Sequence, residues 1–226
     1  MKFEDMINKV ICGDCLEVMK DIPDNSINHI ITDFPYNVNK EYENKTNEEY
    51  LLWLDKVCIE LNRILSNNGN FIFYIGTKNL PKKISIVSNH FKYEWVIVQY
   101  KPTFRHFGKT GFTKTDLIMW FSKGSGKIFD KHPDIIIDKS ENMRINHPTF
   151  KGNIISEKLI EMFTQENDIV LDCFVGSGSI IVACAKLNRR FIGIEINPEY
   201  CKIAEERLRK VPKRLDMFKE VDVNAR

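Results

Sequence analysis

Long apolar runs are missing from this 226-residue sequence. Its uninterrupted apolar stretches fall far short of the roughly 20 residues that a membrane-spanning helix needs. The first nine residues, MKFEDMINK, contain no apolar segment of the kind that signal peptides carry. Internal repeats and low-complexity tracts are missing as well. We therefore expect a soluble, cytoplasmic globular protein.

A strong net charge is also missing. The sequence has 33 basic and 31 acidic residues, a formal charge of +2, so any attraction to nucleic acid must come from a local patch. The six cysteines include one CxxC pair, Cys12 and Cys15, without a second pair or a histidine pair at the spacing of a zinc site. No metal is predicted, and the thiols are expected to be reduced.

Short apolar segments alternate with helical patterns along the chain. Strands are predicted at residues 10–12, 29–32, 70–75, 95–100, 117–121, 169–171 and 190–194. Helical periodicity covers residues 48–65, 156–163 and 179–187, and the NNGN sequence at 67–70 is expected to end the first of these helices. This alternation predicts an α/β fold with a mostly parallel sheet covered on both faces.

The length suits a single domain over residues 1–226. Glycines and prolines interrupt the alternation from residue 101 to residue 146, which predicts inserted loops or a small target-recognition region carrying substrate contacts. Residues 211–226 form a charged tail with little apolar periodicity.

A glycine-containing loop, DCFVGSG at residues 172–178, follows one predicted strand and opens a helix. Gly176 and Gly178 allow a tight turn and a close approach to a ligand at the helix N-terminus. A dinucleotide fingerprint would have a third glycine where Ile181 stands, which weakens a nicotinamide or flavin interpretation. Glu195 ends the next strand, where a carboxylate can accept from both ribose hydroxyls. A glycine turn that serves only packing is the structural alternative.

The second motif, DFPY at residues 33–36, ends another apolar strand with an acid, a proline-stiffened turn and an aromatic residue. Doubly wound sheets bind ligands at such strand ends. An isolated motif of this kind is equally typical of a turn followed by a core tyrosine. The presence of both loops in one chain favours a functional site.

These motifs resemble those of the DNA amino-methyltransferases, whose catalytic tetrapeptide is usually (D/N/S)-P-P-(Y/F/W) and whose cofactor loop is D-P-F-x-G-S-G. The tetrapeptide precedes the cofactor loop here, as in the permuted β class. Residues 147–151, HPTFK, match the segment that usually reads H-P-T-x-K-P, with Gly152 in place of the last proline, and GDCLE at 13–17 resembles the N-terminal segment of the family.

The resemblance implies a circularly permuted, Rossmann-like methyltransferase fold with a mixed seven-stranded sheet. The strand before Asp14 should then lie beside the strand that ends at Glu195, and the Asp33 strand beside the first cofactor strand. Asp14 would accept from the cofactor adenine, although it could instead be a helix N-cap.

The resemblance also implies an activity and a set of site residues. The activity is methyl transfer from S-adenosylmethionine to adenine N6 in DNA, by base flipping and direct in-line attack. The catalytic residues would be Asp33, Phe34, Pro35 and Tyr36. The cofactor-binding residues would be Asp14, Cys15, Asp33, Thr149, Lys151, Asp172, Phe174, Gly176, Ser177, Gly178, Glu195 and Asn197.

Several alternatives remain at this point. Aspartate in the first tetrapeptide position is more typical of adenine enzymes, and cytosine N4 enzymes often carry serine there, so cytosine N4 methylation is the main alternative. Enzymes that methylate RNA amino groups or protein glutamine usually have the opposite motif order. An inactive nucleic-acid or cofactor binder is the alternative from another class. Phe34 lacks the ring stiffness of proline, and we expect from it a less pre-organised loop and low turnover.

The segment 101–114 contains four basic residues, three phenylalanines and no acid, a composition that suits phosphate contacts. The predicted DNA-binding residues are Lys40, Arg105, Lys109 and Lys114. A solvated basic loop with its phenylalanines in the core is the alternative. About 25 residues separate the strand at 117–121 from His147, short for reading several base pairs. The partners implied are double-stranded DNA, a second copy of the chain and a cognate restriction endonuclease.

Overall fold

A computed structural model describes residues 1–35, 45–102, 106–108, 111–138 and 153–212. The strands are β1 (Lys9–Cys12), β2 (Ile27–Asp33), β3 (Leu65–Tyr74), β4 (Lys92–Tyr100), β5 (His106–Gly108), β6 (Gly111–Thr113), β7 (Thr115–Ser122), β8 (Ile135–Ile137), β9 (Ile169–Asp172) and β10 (Arg190–Glu195). The helices are α1 (Phe3–Met6), α2 (Cys15–Met19), α3 (Asn47–Ile64), α4 (Leu80–Ser88), α5 (Asn153–Phe163), α6 (Ser179–Lys186) and α7 (Pro198–Arg209). All seven predicted strands and all three predicted helices are present.

The main sheet has the strand order β1-β10-β9-β2-β3-β7-β4-β8, and β5 and β6 form a separate hairpin. Its pairs are parallel except for those of β7, which runs antiparallel to β3 and β4. The predicted mixed sheet is confirmed, with eight strands instead of seven. The additional strand is β8, a three-isoleucine segment at the sheet edge that is too short to show a strand period in sequence.

The strand neighbours expected from the permuted motif order are confirmed. β1 pairs with β10 although the two strands come from opposite ends of the chain. β2 pairs with β9, so the strand carrying Asp33 lies beside the strand that leads into the glycine loop. Because these strands are parallel, the segments that follow them meet at one edge of the sheet.

The NNGN cluster does not end the first long helix, which corrects the expectation from sequence. Helix α3 ends at Ile64 and the chain enters β3 at once, because Leu65 is fully buried and pairs with Ile27. The cluster lies within β3, where the pairing with β2 shifts at a bulge before Asn70. Asn68 takes the left-handed conformation there, with φ of 64°.

Two apolar clusters cover the two faces of the sheet. Helix α3 contributes its buried face to one of them, and helices α5 and α6 pack against the other. The region 101–146 contains β7, which lies inside the sheet between β3 and β4, so that part of the region belongs to the core. No helix in the described part of the chain combines the length and the apolarity that a membrane crossing requires.

Candidate active site

A cavity of about 260 Å³ opens at the edge of the sheet where β2, β9 and β10 end. Most of the described residues that the sequence singles out line it: Asp14, Cys15, Asp33, Phe34, Pro35, Asp172, Phe174, Gly176, Ser177 and Glu195. The structure therefore brings the two sequence motifs together in one crevice, although about 140 residues separate them.

Some predicted site residues do not line this cavity. Gly178, with φ of 86°, precedes α6, and a Cβ on it would lie 3.0 Å from the Cβ of Ala204, so packing against α7 accounts for this glycine. Asn197 caps helix α7 by accepting from the backbone N–H of Glu199 at 2.8 Å. The predictions for Tyr36, Lys40, Arg105, Lys109, Thr149 and Lys151 fall outside the described residues.

Gly176 is the residue of the glycine loop whose backbone is exposed to the cavity. Its φ is 52°, and a Cβ built on it would meet no atom within 4 Å, so the backbone faces the cavity without a covering side chain. Its N–H donates to Glu195 Oε2 at 2.7 Å, and Glu195 Oε1 accepts from the N–H of Asn197 at 2.9 Å. The Glu195 carboxylate is thus fixed between the loop and α7, and each of its oxygens keeps acceptor capacity towards the cavity.

Asp172 begins the glycine loop and is 3 % exposed. It accepts from the Thr32 hydroxyl at 2.7 Å and from the N–H of Phe174 at 3.2 Å. Burial raises the pKa of Asp172 to about 7, partly offset by the two hydrogen bonds, and the charges of Asp33 and Glu195 add to the increase. The cavity is lined by four acidic residues, Asp14, Asp33, Asp172 and Glu195, which favours a cationic ligand.

Phe34 occupies the tetrapeptide position that usually holds a proline, and its side chain is 1 % exposed. Its ring contacts Trp53, Phe71, Phe73 and Phe174, with centroid distances of 5.3 to 6.4 Å. This packing anchors the loop through a side chain, which was not expected from the sequence, and the less pre-organised loop expected there stays a prediction. The expected low turnover stays a prediction.

A second anchor holds the next residue of the loop. The Tyr50 hydroxyl on α3 donates to the carbonyl of Pro35 at 2.9 Å. Tyr50 is 4 % exposed, and the Lys83 ammonium lies 4.9 Å from the centre of its ring. A capping box between Thr46 and Glu49 fixes the start of α3 just before Tyr50. The DFPY loop at residues 33–36 is therefore anchored at Pro35 to helix α3, whose start is fixed by its capping box.

Asp14 and Cys15 lie at the start of α2, and both line the cavity. Asp14 Oδ1 accepts from the N–H groups of Leu16 at 2.9 Å and Glu17 at 3.3 Å, the N-cap role that was the alternative for this residue. Asp14 also lines the cavity, so its carboxylate serves the helix and faces the crevice. Burial raises the pKa of Cys15 to about 12, so its thiol stays protonated as part of the wall.

Residues that the sequence did not single out as site residues also line the cavity, among them Lys45, Tyr50, Trp53, Tyr74 and Ser156. Tyr50 lies on the apolar face of helix α3, and an aromatic residue at such a position is typical of the hydrophobic core, so the sequence did not mark it as a site residue. Tyr74 offered a usable signal, because it is the penultimate residue of the strand predicted at 70–75, and Asp33 directly follows the strand predicted at 29–32.

Of the predicted DNA-binding residues, Lys114 lies in the described part of the chain. Its ammonium donates to the carbonyl of Pro102 at 3.0 Å. Lys101, at the start of the same basic segment, pairs with Asp116. The charge of Lys101 is thus balanced by the carboxylate of Asp116. The described partner of Lys114 is an uncharged carbonyl, which does not balance its charge.

Asp130, His132 and Glu161 place possible metal-ligand atoms within 4.8 Å of one another. None of them lines the cavity, and Asp130 is exposed. Exposed acidic groups commonly lie close together without an ion, so the arrangement does not by itself indicate a metal centre.

Comparison with known proteins agrees with this geometry. A family model described as DNA methylase, for the N6 and N4 enzymes, matches residues 27–206. The type II methyltransferase M.HpaI of Haemophilus parainfluenzae is 30% identical over 90% of this chain and 74% of its own length. The solved complex of M1.HpyAVI with S-adenosylmethionine is 26% identical, with a TM-score of 0.68 over 88% of this chain and 98% of the other.

The fold also matches the cytosine-N4-specific PvuII DNA methyltransferase, with a TM-score of 0.74 at 20% identity over 95% of this chain and 87% of the other. The family match covers both sequence motifs that open onto the cavity, from the strand of Asp33 to the helix after Glu195. The chain belongs to the N6/N4 family of DNA methylases.

Proposed function

We propose that this protein methylates the N6 amino group of adenine in double-stranded DNA, with S-adenosylmethionine as the methyl donor. The observation that carries the proposal is the shared cavity. Asp33 of the catalytic loop and the glycine loop at residues 172–178 open onto the same space of about 260 Å³. A methyl acceptor held by one loop and a donor held by the other would therefore meet.

The wall of the cavity suits S-adenosylmethionine, the cofactor of this family. The ligand carries positive charge, and Asp172 and Glu195 supply buried carboxyl groups towards it. The uncovered backbone at Gly176 leaves room for close approach. Glu195 would hold the ribose, and Asp14 would face the adenine. When bound, the cofactor supplies an electrophilic methyl group on a sulfonium centre.

The catalytic loop would activate the acceptor. An adenine amino nitrogen is a weak nucleophile because its lone pair is delocalised into the ring. Asp33 would accept from one amino N–H and the backbone carbonyl of Phe34 from the other, which frees the lone pair as the nitrogen becomes pyramidal. Asp33 takes up the proton as positive charge develops on the nitrogen, so a strong base is not required beforehand.

The acceptor must leave the DNA stack before it can enter the crevice, which costs a few kcal/mol of unpairing and unstacking. Stacking on Tyr36 would offset part of that cost. Tyr36 follows directly after Pro35, whose carbonyl is fixed by Tyr50, so the preceding backbone is anchored.

The choice of adenine over cytosine rests on Asp33. Aspartate is more typical of the adenine enzymes that this chain resembles, and serine is frequent in the cytosine N4 enzymes. Cytosine N4 methylation would use the same geometry around a different ring. The likeness to the PvuII enzyme, at 20% identity, concerns the fold alone.

M.HpaI is a type II methyltransferase, so a cognate restriction endonuclease is the functional partner that we infer for this chain. A second copy of the chain would enlarge the DNA footprint beyond what one small domain covers.

The test is to methylate unmodified DNA with the purified protein and labelled cofactor, hydrolyse the product and identify the nucleoside by mass. We expect N6-methyladenine. N4-methylcytosine would replace the proposal with its alternative, and no methylated base would contradict both.

A matched pair of variants checks the role of Asp33. Asp33→Ala should abolish transfer while the protein still binds the cofactor. Asp5→Ala, a change of the same type at an exposed residue of α1, should leave transfer unchanged. Normal transfer in Asp33→Ala would overturn the mechanism.

A further inference from the structure

Tyr74 and Asp33 are paired residues at the ends of two neighbouring parallel strands. Asp33 closes β2, Tyr74 closes β3, and their Cα atoms are register partners. Two residues earlier, Ile31 and Ile72 are also partners, and both belong to the apolar cluster that contains Tyr74. Since side chains two residues apart share a face of a strand, the side chains of Asp33 and Tyr74 project from the same face of the sheet, from neighbouring strands about 4.8 Å apart.

The backbone reinforces this pairing. The N–H of Phe34, which follows Asp33, donates to the carbonyl of Tyr74 at 3.3 Å. The catalytic loop therefore leaves the sheet while still bonded to the residue that carries the phenol.

The Tyr74 side chain is 2 % exposed, and it lines the same cavity as Asp33. Burial raises the pKa of Tyr74 well above its ordinary value, and the charge of Asp33 raises it further. The hydroxyl thus keeps its proton, and remains a hydrogen-bond donor, at any pH at which the enzyme would work.

We infer that Tyr74 is a positioning residue for Asp33: its hydroxyl donates to one carboxylate oxygen in the working complex, which leaves the other oxygen aimed at the acceptor amino group. This inference rests on the proposed role of Asp33. It differs from the support that Tyr50 gives, because Tyr50 bonds to the loop backbone whereas Tyr74 acts on the carboxylate.

Other acidic groups surround this pair, and each has a described hydrogen-bond donor. Asp172 accepts from Thr32 and Glu195 from Gly176. Farther along the sheet, Asp116 on β7 pairs with Lys101, and Asp138 after β8 accepts from Gln99 at 2.8 Å. Besides burial and the charge of Asp33, the charges of Asp116 and Asp138 raise the pKa of Tyr74, so its hydroxyl keeps the proton that it would donate to the carboxylate.

The test is Tyr74→Phe, which removes one oxygen atom and keeps the ring. The single-turnover rate of methyl transfer should fall about tenfold or more, the effect expected of losing a hydrogen bond to a charged group. The dissociation constants for S-adenosylmethionine and for the DNA should stay within about twofold. The acid limb of the pH–rate profile should move to higher pH, because a carboxylate without its donor is protonated more easily.

Tyr93→Phe is the matched control, because Tyr93 is 47 % exposed on β4 and is not part of the cavity wall. It should change none of these quantities, and unfolding curves should show both variants folded. A single-turnover rate in Tyr74→Phe within twofold of wild type, or an unmoved acid limb, overturns the inference. So does a rate loss fully explained by weaker cofactor binding. If Asp33→Ala is inactive while Tyr74→Phe is normal, this inference fails and the proposed function stands.

Discussion

Phe34 of the DFPY loop packs directly on Phe174 of the glycine loop, with ring centroids 5.3 Å apart. Both rings also contact Trp53 on α3. The loops to which we assign the methyl acceptor and the methyl donor are therefore in direct contact through aromatic side chains. Ordering of one loop by its ligand would be transmitted to the other.

The first prediction concerns this aromatic contact. Phe34→Ala should destabilise the fold by about 3–5 kcal/mol, because it leaves a cavity among buried rings. It should also slow single-turnover methyl transfer, because the loop loses its anchor. Phe91→Ala is the control, since Phe91 is similarly buried on Phe71 but lies outside the cavity wall. Phe91→Ala should lower the stability of the fold and leave the rate of methyl transfer unchanged. An equal loss of rate in both variants would contradict a specific role for the contact between Phe34 and Phe174.

Much of the fold and of the site was predictable from sequence because the relevant signals are local. Seven of the eight strands of the main sheet show an apolar run in sequence, and the residues of the glycine loop and of the tetrapeptide are consecutive in the chain. The order of the motifs along the chain then predicted that β1 pairs with β10 and that β2 pairs with β9.

What sequence did not predict depends on contacts between distant residues. Helix α7 was not predicted. Its buried residues are Cys201 and Ala204, and the rest of the helix is strongly charged, so its sequence shows too little apolar surface for a helical period. The packing that replaces the missing proline at Phe34 comes from residues on α3, β3 and the cofactor loop. The role of Tyr74 follows from strand register, which no single segment contains.

The second prediction concerns cofactor affinity and pH. Because burial raises the pKa of Asp172 to about 7, the residue is largely neutral below that pH and charged above it. A cationic ligand prefers the charged form, so the dissociation constant for S-adenosylmethionine should fall as pH rises through about 7 and then level off. Isothermal titration from pH 5.5 to pH 8.5 measures this, and binding should release protons within that window. Asp172→Asn should bind more weakly and without this pH dependence; a wild-type constant that does not vary with pH would contradict the assignment.

The third prediction concerns the stability of the ligand-free protein. Between the ordinary value near 3.8 and about 7, Asp172 binds more protons in the folded state than in the unfolded state. The free energy of unfolding therefore decreases as pH rises across that interval, as far as Asp172 is concerned. Asp168 and Glu94 have lowered pKa values and act in the opposite sense, with stability lost as pH falls through their folded values.

The difference between wild type and Asp172→Asn isolates this contribution. Urea unfolding at pH 5 and pH 8 should show wild type losing more stability than the variant on going to the higher pH. Equal changes in the two proteins would mean that the carboxyl group of Asp172 does not titrate in this range.

The fourth prediction separates the two glycines of the cofactor loop. Both have positive φ, so alanine at either position costs about 1–2 kcal/mol of backbone energy. At Gly178 the added Cβ would also lie 3.0 Å from the Cβ of Ala204, whereas at Gly176 it meets nothing within 4 Å. Gly178→Ala should therefore be the less stable variant, and Ala204→Gly combined with it should recover part of the loss. Gly176→Ala should instead weaken cofactor binding more, because its methyl group projects into the cavity. Unfolding curves and cofactor titrations of the variants check both rankings, and a reversed order in either would show that the packing and ligand-facing roles of the two glycines are misassigned.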